Sequence, residues 1–197
     1  MRADVILVRH ARSVIPRPGG PDEFHRPLTE EGMAQAERLV AELAWVTPSL
    51  VASSPYLRAI QTIEPFARAA DMPVRTEHDL REWDSGLEPA PDYARHYAES
   101  WSAPDVARAG AESLSQLSRR ATAILTSLAE RHPDGGVVIG SHGTFVARAL
   151  VGFGLHTVDW PFSRAMPMPA IYRLRFTDHE VQVSGPGLPN PEPEAKQ

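Results

Sequence analysis

The run Asp4-Val5-Ile6-Leu7-Val8-Arg9 is almost unbroken branched apolar residues, the pattern of a strand covered on both faces. Ser49-Leu50-Val51-Ala52-Ser53 reads as a second short strand, and Val137-Val138-Ile139-Gly140, introduced by Gly135-Gly136, as a third strong one. Between them the spacing becomes helical. Met33, Ala36, Leu39, Val40 and Leu43 share one face behind Thr29, a good N-cap, with Glu30 and Glu31 in the first turn where the helix dipole favours anions. Ser54 is placed to cap the next helix, with Pro55 at its first position. Ile60, Ile63 and Ala67 form that helix's buried side, and Pro65 should kink it or end it early. A short strand is expected near Val74. Leu114, Leu117, Ala121, Ile124, Leu125 and Leu128 mark a helix over 113–131, and a further helix follows Ser141-His142-Gly143-Thr144 to about Gly152. Residues 170–176 and 179–183 alternate like a terminal hairpin, with Asp178 in the turn.

Three stretches lack a pattern. Residues 13–28 are a loop rich in Pro and Gly. Residues 84–110 mix three prolines, one tryptophan, two tyrosines and charge, which predicts an excursion of loops and short helix, a place where specificity often resides. The tail from Gly185 holds four prolines and is expected to be disordered. The chain therefore reads as one domain over 1–184: a three-layer αβα sandwich with a largely parallel central sheet and an antiparallel edge strand.

Composition narrows the function classes. With 197 residues, the chain is long enough to bury a substantial core. A net charge of −5, with no long basic tract, argues against a nucleic-acid partner. The absence of cysteine removes disulfides, thiolate nucleophiles and iron–sulfur clusters, and fits a reducing compartment. The apolar run at the N-terminus is too short for a signal peptide or a membrane span, so a cytoplasmic protein without a membrane partner is expected.

The chemistry gathers at strand ends. Val8-Arg9-His10 and Gly140-Ser141-His142-Gly143 each place a histidine where a strand finishes, and ligands of open α/β sheets bind at those carboxyl ends. A third strand end, Ala52-Ser53-Ser54-Pro55, leads to Arg58. Arg9, Arg58 and His142 around His10, beside helix N-termini, would make a pocket for a dianionic phosphoryl group.

Val8-Arg9-His10-Ala11-Arg12-Ser13 resembles the Arg-His-Gly motif of the histidine phosphatase superfamily, in its phosphoglycerate-mutase-like branch. Arg26-Pro27-Leu28-Thr29-Glu30-Glu31-Gly32 is similar to that branch's P-L-T-x-x-G helix start, and Ser53-Ser54-Pro55-Tyr56-Leu57-Arg58-Ala59-Ile60-Gln61-Thr62 to its S-S-x-x-x-R-A-x-Q-T helix. Leu80-Arg81-Glu82-Trp83-Asp84-Ser85-Gly86 resembles its acid segment, and Ser141-His142-Gly143 its second histidine. These five matches, in order, span residues 5 to about 150.

The resemblance implies a phosphomonoesterase that uses neither metal nor cofactor and acts on a small-molecule phosphate ester. It implies His10 as covalent nucleophile, with its pKa depressed by Arg9, Arg58 and a protonated His142. Glu82 would be the proton donor, with Asp84 as second choice. Arg9, Arg12, Ser13, Arg58, His142 and Gly143 would hold the phosphoryl group. Ala11 replaces the usual glycine. Pro16 stands where the branch often has an asparagine reaching the phosphate, which leaves Arg12, Ser13 or Arg17 to compensate. Three other functions remain open: a mutase on the same scaffold, a protein phosphohistidine phosphatase, and a non-catalytic phosphate binder. Trp83, Tyr93, Tyr97 and Trp101 either wall the pocket or pack the excursion, with packing preferred. The other six histidines show no ligand-like pairing.

Overall fold

The computed structural model describes residues 2–17, 19–88, 91–133 and 135–189. The three apolar runs are parallel neighbours at the middle of a six-stranded sheet. β1 (Ala3–Arg9) lies beside β4 (Gly136–Ser141), β4 beside β2 (Pro48–Ser53), and β2 beside β3 (Val74–Thr76). On its other side β1 pairs antiparallel with β5 (Ala170–Phe176), and β6 (Val181–Ser184) closes that edge. The sheet is thus mixed and mostly parallel, with the β5–β6 hairpin forming its antiparallel edge, as expected.

Alternation along the central strands divides the core into two layers. Ile6, Val8, Val51 and Val138 face α1 (Glu30–Glu42) and α2 (Leu57–Ala69), meeting Leu39, Leu43, Ile63 and Phe66. Val5, Leu7, Ala52, Val137 and Ile139 face α4 (Leu114–Arg131) and α5 (Gly143–Gly152), meeting Leu117, Leu125, Phe145 and Leu150. Each such side chain contributes about 1.5–3 kcal/mol by leaving water. Both faces of β1, β2 and β4 are therefore covered, as their lack of alternation required.

Several local expectations change. Thr29 does cap α1, its Oγ1 accepting from Gly32 N, but Met33 is exposed and takes no part in the buried face. Tyr56, not Ser54, is the N-cap of α2, and Pro65 neither ends nor displaces that helix. The tail does not begin at Gly185. Residues 185–189 turn back against the domain, the Tyr172 hydroxyl donates to the Pro186 carbonyl (3.0 Å) and Leu188 packs on the core. The rest of the expected tail, 190–197, lies outside the described residues. The excursion carries α3 (Tyr93–Ser102), and α6 (Trp160–Ala165) lies ahead of β5. Trp83 is buried, donates to the Glu112 carbonyl at 2.7 Å and meets Tyr97, which in turn meets Trp160. These aromatics pack the excursion onto the domain, as preferred from the sequence.

Candidate active site

β1 ends at Arg9, and His10 N still donates to the Ser141 carbonyl (2.9 Å), so the sheet register carries His10 to the carboxyl edge beside β4. Next door, Ser54 N donates to the Gly140 carbonyl at 2.9 Å. The segment after His10 is then tied down by three motif residues. Ala11 N donates to Thr62 Oγ1 (3.0 Å), and the Arg12 carbonyl accepts from Thr29 N (3.0 Å). Leu28 N donates to Gln61 Oε1 at 2.8 Å. Gly32 is required here: a Cβ would lie 2.0 Å from the Arg12 carbonyl oxygen. The Q-T pair and the P-L-T-x-x-G glycine therefore act as scaffolding for the loop that presents His10.

His10 is buried, 7% exposed, and its Nδ1 lies 2.7 Å from the Ala11 carbonyl. A carbonyl only accepts, so this contact puts the ring proton on Nδ1 and the lone pair on Nε2. Arg58 meets that lone pair, with Nε donating to His10 Nε2 at 3.3 Å. Arg58 sits in the first turn of α2, is 1% exposed and lies over the Tyr56 ring at 5.0 Å. Its Nη1 donates to the Glu23 carbonyl (2.6 Å) and its Nη2 pairs with Glu23 Oε2 (2.9 Å).

His142, the N-cap of α5, is fully buried and its ring lies 5.4 Å from that of His10. Its Nε2 is 2.7 Å from Ser54 Oγ, while Nδ1 has no partner among the described residues. Glu82 is fixed against the same helix start. Its Oε1 accepts from Trp83 N and Phe145 N, both at 2.9 Å, and its Oε2 from Thr144 N at 3.2 Å. Arg120 of α4 holds the segment from behind, donating to the carbonyls of Asp79, Arg81 and Glu82 while paired with Glu112. Arg9 Nη1 donates to the Met166 carbonyl, while its buried Nε has no partner among the described residues. Gly143 leaves room for that guanidinium, since a Cβ there would be 3.0 Å from Arg9 Nε.

Charge and burial act together on the two rings. Burial first, then the Arg58 charge, push His10 well below the ordinary imidazole range; Arg9 and Arg26 add to this and the Ala11 carbonyl opposes it. Burial, then Arg58, then His10 do the same to His142. Burial and the neighbouring cations therefore disfavour the protonated His142 expected from the sequence. Both groups charge more readily in the unfolded chain, so their cost to folding is absent above pH 6.5, the ordinary imidazole value, and grows as pH falls below it. Melting temperature should thus decline on acidification from pH 6.5. A variant with both rings replaced by Gln should decline less over the same range, and an equal decline would contradict the assignment.

Of the sequence-predicted residues, His10, Arg9, Arg58, Glu82, His142 and Gly143 come together at the carboxyl ends of β1, β2 and β4. Arg12 does not join them; its Nη1 turns outward to Glu31 at 2.9 Å. Ser13 contributes indirectly, its Oγ accepting from Arg26 Nη1 at 2.7 Å. Arg17 is exposed, and Asp84 is exposed with its carbonyl accepting from Glu112 N. Three residues were missed. Arg26 is 8% exposed and close enough to lower both histidines. Ser54 was assigned to a cap and instead meets His142, and Glu23 bridges Arg26 and Arg58. The hint for Arg26 was its place before Pro27-Leu28-Thr29; nothing local marked Glu23. A cavity of about 530 Å³ lined by Arg2, Asp4, Trp45 and Arg173 lies at the opposite sheet end, away from all these groups.

A mostly parallel sheet with two buried histidines and three enclosed or half-enclosed arginines at its carboxyl edge defines an α/β domain with a pocket for a compact anion. The model for the histidine phosphatase superfamily, branch 1, matches residues 5–187, and the chain belongs to that family. Solved structures share the fold. YhfR of Bacillus stearothermophilus superposes with a TM-score of 0.78 at 23% identity, covering 94% of this chain and 96% of that one. A phosphoserine phosphatase of Entamoeba histolytica in complex with 3-phosphoglyceric acid gives 0.76 at 19%, covering 93% and 96%. A mycobacterial glucosyl-3-phosphoglycerate phosphatase gives 0.73 at 21%, covering 94% and 98%. Among curated proteins, an 8-oxo-(d)GTP phosphatase of Mycolicibacterium smegmatis is 36% identical over 78 residues, 40% of this chain. The match spans 24% of that relative's length. Among the described residues no helix is long and apolar enough to cross a membrane.

Proposed function

We propose that this phosphatase hydrolyses a small-molecule phosphate ester through a phosphohistidine on His10. The observation that carries the reading is the Nδ1 contact with the Ala11 carbonyl, which selects the tautomer of the neutral ring that keeps its lone pair on Nε2. That lone pair attacks phosphorus as the bond to the ester oxygen breaks, splitting one displacement into two. Arg58 and Arg9 neutralise the phosphoryl oxygens, and most of the rate comes from such preset charge. Ser54 Oγ accepts from Tyr56 N (3.3 Å) and keeps its own proton available, and in this reading it donates that proton to His142 Nε2. The His142 ring proton then sits on Nδ1, a donor for a phosphoryl oxygen. Glu82 gives the departing alcohol its proton and afterwards takes one from the water that attacks the phosphoenzyme, releasing inorganic phosphate. Oε2, which accepts only one backbone N–H, is the oxygen free to carry that proton.

The names of the fold relatives, phosphatases of phosphoserine and of glucosyl-3-phosphoglycerate, support a small ester as substrate. A phosphate-release screen over a metabolite panel, with chelator present, tests the proposal. The expected result is undiminished release with chelator and, on acid-free quenching, phosphate bound to His10 and removed by acid. Release lost on chelation would sink the metal-free mechanism, and label recovered on another residue would sink the nucleophile.

A further inference from the structure

Arg58 and Arg26 are two nearly buried guanidinium groups in one pocket, yet a single carboxylate neutralises both. Glu23 Oε2 lies 2.9 Å from Arg58 Nη2 and 3.0 Å from Arg26 Nη2, and Arg26 Nε donates to Glu23 Oε1 at 3.1 Å. The other guanidinium nitrogens also have partners. Arg58 Nη1 goes to the Glu23 carbonyl and Nε to His10 Nε2, and Arg26 Nη1 goes to Ser13 Oγ and the Val14 carbonyl. The groups that a phosphoryl dianion needs are thus committed to an acidic side chain carried by the 13–28 loop. In addition, the lone pair of the nucleophile is committed to Arg58.

Carboxylate and phosphate fit the same planar fork, so the two anions exclude each other on Arg58. Exposure says which partner gives way: the Glu23 side chain is 48% exposed and can swing into water, while that of Arg58 is 1% exposed and cannot. Arg26 and Arg58 cannot be left unpaired at such burial without heavy cost, and Glu23 is the anion that pairs with them. A dianion with three oxygens then repays the exchange better than the carboxylate it displaces, and a monoanion repays it less.

We propose that Glu23 is a built-in competitor for the phosphoryl group: its carboxylate holds Arg58 and Arg26 while the pocket is empty, and substrate binds by displacing it from Arg58. This makes Glu23 a determinant of selectivity for dianionic esters, and it rests on the pocket reading given above. When the exchange occurs, Arg58 Nε turns from His10 Nε2 to a phosphoryl oxygen, which frees the lone pair at the moment it is needed.

The test uses the full chain with Glu23→Gln, which keeps shape and removes charge, and inorganic phosphate as the probe. Inhibition by phosphate should tighten about tenfold, the scale of one charge-assisted hydrogen bond, and KM for a dianionic monoester should fall in the same direction. The unliganded variant should melt lower than wild type, and phosphate should raise its melting temperature by more. Glu23→Ala should move phosphate affinity the same way, which covers a Gln variant that folds poorly. Phosphate inhibition unchanged or weakened in both variants overturns the proposal, because Glu23 would then be positioning Arg58 for its ligand. The phosphate-dependent melting shift can also be read in His10→Ala, so failure of the nucleophile assignment and failure of this inference are separate results.

Discussion

Replacing His10 with alanine is expected to lower kcat/KM for phosphate-ester hydrolysis by roughly 10⁵-fold, the scale seen when a covalent nucleophile is removed and only binding and electrostatics remain. The change also deletes a buried ring and strips the Ala11 carbonyl of its partner, so stability alone could mimic the loss. His10→Asn separates the two effects. Its amide can still donate to the Ala11 carbonyl but has no nucleophilic nitrogen, so it should melt close to wild type and still be inactive. Phosphate should continue to bind both variants, since Arg58, Arg9 and His142 are untouched. An Asn variant retaining more than about one part in a hundred of the activity would remove His10 from the reaction.

The central strands were legible because each is covered on both faces, which leaves a sequence no polar positions to alternate. β1, β2 and β4 fall where their apolar runs stand, and the hairpin of β5 and β6 follows its own alternation. Misreadings came from local rules overruled by packing. Pro65 costs a backbone hydrogen bond, about 3 kcal/mol in an open helix, yet it is buried beside Ile63, Phe66 and Ala67, and that burial keeps α2 running to Ala69. Met33 has the right helical phase, but it stays exposed while Ala36, Leu39 and Leu43 on the same face are buried.

At the site, legibility followed the distance between a residue and its reason. His10 and His142 are announced by the strands that end at them. Gln61 and Thr62 could be quoted as motif letters, but their work, holding Leu28 N and Ala11 N, needs two loops folded against α2 to be visible. The same holds for Arg26, which supplies the buried charge near the nucleophile that Pro16 cannot, from sixteen residues beyond His10 in the numbering of the chain. Ser54 misled because one side chain can serve as a cap or as a partner, and the nearer His142 Nε2 contact, 2.7 Å against 3.3 Å for Tyr56 N, decides between them. Glu23 had no pattern at all. An acid next to Asp22 in a Pro/Gly loop acquires meaning only when the loop brings it to two guanidinium groups.

Arg58→Ala is expected to lower kcat/KM by about 10³-fold, at the upper end for one preset donor and at the lower end for a phosphoryl-stabilising arginine. Lysine should not restore it. Arg58 spreads three donors over His10 Nε2, the Glu23 carbonyl and Glu23 Oε2, a fork that a single ammonium cannot reproduce, and its flat face lies on Tyr56. A second consequence distinguishes electrostatics from lost packing. After burial, the Arg58 charge is the largest influence holding His10 below the ordinary imidazole range, and it ranks second for His142 as well. Removing it should let both rings rise toward 6.5. His10 must be unprotonated to attack, so the acid limb of kcat/KM should move to higher pH in the alanine variant, and residual activity should fall more steeply between pH 7 and pH 5 than in wild type. Arg58→Met, which fills the space without charge, should show the same displaced limb. A limb that stays in place while activity drops would assign Arg58 to packing against Tyr56 and the start of α2, and would take from it the tuning of the nucleophile.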